Sequence, residues 1–102
     1  MRQIELDASS WTTVLDFYAA LLAALGAPNW HGMNINALID SMIWGGINAV
    51  EPPYTVRIRE IAKLSKDIVG EVELAKRALS EARAEFRRSR GHDVEVLLET
   101  AA

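Results

Sequence analysis

Three short segments in which apolar and polar residues alternate, each separated from the next by a long amphipathic stretch, limit what this chain can fold into more than any other feature. Arg2 to Asp7 sets Ile4 and Leu6 on one side and Glu5 on the other, the period of a half-buried strand. In the second segment Tyr54, Val56 and Ile58 alternate with Thr55, Arg57 and Arg59; the third, Asp93 to Glu99, turns Val94, Val96 and Leu98 to one face. Strands joined through helices run parallel with right-handed crossovers. Parallel sheets are commonly covered on both faces and then read as unbroken apolar runs, so the alternation here implies one wet face. The expected fold is therefore α/β in two layers: a three-stranded parallel sheet with helices on one face only. On the wet face Arg57 and Arg59 would stand with Glu5, Glu95 and Glu99. A central second strand puts cations between carboxylates, which gives the order 1-2-3.

Four helices are expected between the strands. Ser9 or Ser10 can cap the first, in which Trp11, Val14, Leu15, Tyr18, Leu22 and Leu25 recur at helical spacing, with Gly26 as its stop. A second helix from about Asn34 to Ile43 has Ile35, Leu38, Ile39 and Met42 on its buried stripe, leaving Asn36 and Asp40 on the opposite face. Gly45-Gly46 and Pro52-Pro53 bracket a loop. Ile61 to Asp67 is expected to form a short helix, and the longest helix runs from about Glu71 to Arg90, ending at Gly91. There is no internal repeat and no linker, so residues 1–102 are expected to make one domain.

Charge is unevenly distributed. The net charge is −3, and no lysine or arginine stands between Arg2 and Arg57, where Asp7, Asp16, Asp40 and Glu51 fall. That half of the chain repels phosphate and attracts cations. Arg87, Arg88 and Arg90 sit at a helix C-terminus, where the dipole favours them, on a helix that also carries Glu71, Glu73, Glu81 and Glu85; a nucleic-acid partner is not expected. Absence of cysteine suits a reducing compartment, and Glu5 and Asp7 stand where a signal peptide would be basic or apolar. Residence in the cytoplasm is the expectation, with no membrane span, because the most apolar run, Ala19 to Leu25, is short and preceded by Asp16. His31 and His92 lie far apart without metal-ligand spacing, and no nucleophile elbow, phosphate loop or dinucleotide fingerprint is present. Neither a catalytic site nor a cofactor or metal is expected.

The segment Ala24-Leu25-Gly26-Ala27-Pro28-Asn29-Trp30-His31-Gly32-Met33-Asn34-Ile35-Asn36-Ala37-Leu38-Ile39-Asp40 resembles the signature of the barstar family, and the layout is similar along nearly the whole chain, down to Gly91-His92-Asp93 before the last strand. The resemblance implies an inhibitor of a small basic ribonuclease. Its second helix and preceding turn would enter the enzyme's active site, with acidic side chains where RNA phosphates would lie. On that basis Trp30 and His31 occupy the positions of the family's two aromatics, Gly32 and Asn34 match directly, and Asp40 matches the second aspartate of the motif. Asn36 replaces the first, so this chain offers one fewer charge. Trp44 with Gly45-Gly46 matches the family's glycine-tryptophan segment only roughly, and Pro53 resembles a proline that is cis in the family.

The residues also carry a reading of their own. Asn36, Asp40 and Trp44, four apart, form one exposed stripe on a short helix, with Trp30 and His31 beside its start. A carboxylate flanked by large rings suits a basic, cleft-bearing partner. The blander reading makes Asp40 a solvated helix residue, Trp30 and His31 half-buried rings at the core's edge, and Asn34 a helix cap. Two rival functions stand beside inhibition: an immunity or adaptor protein on the same scaffold for a non-ribonuclease toxin, favoured by Asn36 and by an apolar stripe of Met33, Ile43 and Trp44, and a small enzyme or RNA binder. The free protein is expected to be a monomer, although that apolar stripe leaves self-association open.

Overall fold

A computed structural model describes all residues, Met1–Ala102. The strands are β1 (Arg2–Asp7), β2 (Tyr54–Arg59) and β3 (Val96–Thr100), and they form one parallel sheet in the order β1-β2-β3. The helices are α1 (Val14–Ala24), α2 (Ile35–Leu38) and α3 (Lys66–Arg90). One face of the sheet buries Leu6, Val56, Ile58, Val96 and Leu98 against Phe17, Leu21, Leu38, Met42, Ile68, Val72 and Leu79 from the helices. The other face remains polar: Glu5 is in register with Arg57 and Arg57 with Glu99, while Arg59 Nε reaches Glu5 Oε2 at 3.0 Å. Cross-strand charge pairing thus belongs to the central strand, as the alternation predicts. Only Thr55 is buried on that side, under the Met1 thioether.

Four boundaries differ from the sequence reading. The first helix is capped at Thr13, not at Ser9 or Ser10, because the Asp16 carboxylate accepts the amides of Thr12 and Thr13 at 2.7 and 3.0 Å; these amides hold the Asp16 carboxyl below its ordinary pKa. Trp11 therefore precedes the helix and packs on Phe17, ring centroids 5.8 Å apart. In place of a helix over Ile61–Asp67 there is a single tight turn, Ile61–Lys63. The long helix starts at Lys66 rather than Glu71: the Ser65 hydroxyl caps Ile68 N, and the helix runs on through Gly70 because Ile68 is anchored in the core. A glycine inside a helix costs only about 1 kcal/mol. The third strand begins at Val96, not Asp93, since Glu95 takes a positive φ of 56°, outside the extended range of a strand. Of its two expected carboxylates, β3 thus contributes Glu99 alone.

Candidate functional site

The connection from α1 to β2 carries the site. Gly26 ends α1 at φ +64°, where its carbonyl accepts Ala49 N at 3.1 Å while Leu25 O accepts Val50 N at 3.0 Å. These bonds clasp the two ends of a long excursion, whose inner side chains Leu38, Met42 and Ile43 join the core while its outer face stays open. Within it, Asn34 caps α2 by accepting Ala37 N on its side-chain oxygen at 2.8 Å. Gly32 fits closely beneath: a Cβ there would stand 2.9 Å from Asn34 Nδ2 and 3.2 Å from the Ala37 Cβ.

The second helix is not α-helical to its end. Residues Ile39–Trp44 wind as a π-turn, closed by Gly45 N donating to Asp40 O, five residues back, at 3.1 Å. Wider winding draws Ser41, Met42 and Ile43 all inward. Ile43 is therefore core, which removes it from the exposed apolar stripe expected with Met33 and Trp44. Asn36, Asp40 and Trp44 still share the outer face, all exposed.

The Asp40 side chain makes no ion pair or hydrogen bond within the chain. It lines a shallow depression of about 90 Å³ with Trp30, His31, Gly32, Ala37 and Ile47. The Trp30 ring is 74% exposed and free to cover a partner surface. His31 points the other way. Only 8% exposed, it forms the floor, with Nδ1 2.7 Å from Gly32 O and Nε2 2.7 Å from Ser41 Oγ. A carbonyl can only accept, so Nδ1 carries the proton and Nε2 accepts from the Ser41 hydroxyl. His31 ties the turn to the helix.

Trp44 lies at the far end of the stripe, half covered by the end of α3. Its ring meets Phe86 at 5.1 Å, Phe86 meets His92 edge-on at 5.3 Å, and the Arg90 guanidinium lies 5.3 Å above the Trp44 ring. Of these, Ile47, Ser41, Phe86 and Arg90 escaped sequence reasoning. Nothing in the local pattern marks them, because their proximity is tertiary. The larger hollow, about 230 Å³ between α3 and β3, lies apart from Asp40, and the Arg83–Asp93 ion pair sits at it, N–O distance 2.5 Å. No group of histidines and acidic residues in the structure could hold a metal ion, and no helix is long and apolar enough to cross a membrane. The Pro52-Pro53 bond is cis.

The sequence pattern of the family described as Barstar (barnase inhibitor) matches residues 1–99. Among curated proteins none matches the chain.

Proposed function

The chain belongs to the barstar family, and from that membership we propose that it is an inhibitor, not a catalyst, which blocks the active site of a small basic ribonuclease in the cytoplasm of the cell that makes it. The observation that carries the reading is Asp40: an exposed carboxylate with no cation of its own chain paired to it, between the exposed rings of Trp30 and Trp44. A free carboxylate on a rigid support is ready to pair with a desolvated cation in a cleft, and exposed aromatics supply area at small entropic cost. In this proposal Trp30, Asn36, Asp40 and Trp44 touch the enzyme, while Gly32, Asn34 and His31 hold the turn that presents them.

The test is inhibition of barnase cleaving a labelled RNA. The chain should abolish cleavage at equimolar concentration, and Asp40→Ala should raise Kd by about thirtyfold or more, the loss of about 2 kcal/mol that follows when a buried cation is left unpaired. Equal inhibition by Asp40→Ala would remove the charge-pairing mechanism. Full ribonuclease activity in the presence of the chain would turn the reading to its alternative, an immunity or adaptor protein for another toxin. Asn36 and the exposed Met33 and Trp44 favour that alternative, since they replace charge with polar and apolar surface. Capture of a non-ribonuclease toxin from the producing cells would then support it.

A further inference from the structure

We infer that Arg90, resting on the Trp44 ring, is a receiving site for a carboxylate of the partner protein. The outer face then reads charge of both signs: Asp40 takes a cation, and Arg90, at the Trp44 end, takes an anion. The inference rests on the reading above for the existence of a partner and adds to it the partner's chemistry. Cations at a helix C-terminus commonly serve the helix alone, and Arg88 does so, pairing with Glu85 on its own helix. Arg90 instead leaves the helix for another element, its guanidinium 5.3 Å from the centroid of the Trp44 ring and 5.9 Å from that of Phe86. His92 holds the same corner, edge-on to Phe86 at 5.3 Å, with Nδ1 donating to Arg90 O at 3.3 Å.

A fixed position without an ionic partner carries the inference. Contact with ring faces draws on the charge of a guanidinium but uses none of its five N–H donors, and Arg90 makes no ion pair within the chain. The carboxylates on either side of it in sequence, Glu85 and Asp93, are paired with Arg88 and Arg83, and Glu51, on the loop beyond Trp44, accepts Gly46 N at 3.3 Å. A guanidinium already settled on a ring loses little freedom on binding, and its planar fork matches a carboxylate through two parallel bonds. Trp44, 42% exposed, offers apolar area for the chain segment that bears that carboxylate. Phosphate is the poorer ligand: a nucleic-acid strand carries charge along its length and would also meet Asp40, whereas a single side-chain carboxylate need not.

The experiment titrates the isotope-labelled chain with a capped tetraglutamate peptide, followed by NMR through the millimolar range at about 10 mM ionic strength, where charges act over about 30 Å. The Arg90 Nε–H and Trp44 indole N–H signals should shift progressively. Arg90→Gln should cut the Trp44 shift by about fivefold or more, and Arg90→Lys, which keeps the charge without the fork, should retain less than about half of it. Tetrauridylate, of similar charge, should move the same signals less than the peptide does. Signals that do not respond to the peptide, or a Trp44 shift as large in Arg90→Gln as in the parent chain, overturn the inference. An equal or larger response to tetrauridylate overturns it as well, by making the corner a phosphate site. No enzyme is in the sample, so each result stands whether or not the chain inhibits a ribonuclease.

Discussion

Tyr54 is wholly buried at the start of the central strand, and its hydroxyl has no hydrogen-bond partner. Burial pushes its phenol above the ordinary value, and the charge of Glu51 adds to that. An unpartnered hydroxyl removed from water costs about 1–3 kcal/mol, while the dispersion lost with one oxygen atom amounts to a few tenths of a kcal/mol. Tyr54→Phe should therefore stabilise the protein by about 1–2 kcal/mol, which for a domain of this size raises Tm by about 5 °C or more. Tyr18→Phe is the matched comparison. Tyr18 is equally buried, but its hydroxyl donates to Glu71 Oε2, so its loss should cost about 1–2 kcal/mol. Thermal melts followed by circular dichroism, with urea titrations to confirm an unchanged m-value, would separate the pair. If Tyr54→Phe melts at or below the parent temperature, the hydroxyl is satisfied and the reasoning is wrong.

Two further substitutions test the supports of the site and of β3. Asp93 is held below its ordinary carboxyl pKa of 3.8 chiefly by its hydrogen bonds to Arg83. A depressed folded-state value gives stability that is present above the unfolded pKa and lost as pH falls below about 4; Asp93→Asn should therefore destabilise at pH 7, with the gap to the parent closing in acid denaturation curves as the parent carboxyl protonates. Gly26→Ala forces a side chain into φ +64° with its Cβ 2.8 Å from that of Ala49. It should cost about 2 kcal/mol or more in urea denaturation, and Ala49→Gly in the same chain should recover part of the loss by removing the contact.

The strands were legible because their signal is local. Period-two alternation specifies a face, and opposite charges at Glu5, Arg57 and Glu99 specify which strand lies between the others. Helix ends were less legible, since several residues compete to cap. Ser9 and Ser10 are good cap types, yet the Asp16 carboxylate selects Thr13; a start near Glu71 leaves Gly70 outside the helix, yet Ile68 packing carries α3 across it. The π-turn had no sequence mark at all. With it went the placement of Ile43, which the i, i+4 pattern left outside and the wider turn brings into the core. His31 shows the same gap: its position beside Trp30 suggests a pair of surface rings, and only Ser41, ten residues later and turned inward by that winding, shows that the imidazole is a strut.

The sequence by itself determined a parallel three-stranded sheet with one wet face, a cation-free stretch around Asp40, and the likeness that names the family. Each of these is written in neighbouring residues, as a period, a charge count or a motif. Only the tertiary structure decided that Asp40 stays unpaired, that His31 lies under it, and that Arg90 and Phe86 close over Trp44. Those facts depend on which distant side chains meet when the excursion after α1 is clasped to the body, and packing, rather than any local preference, fixes that meeting.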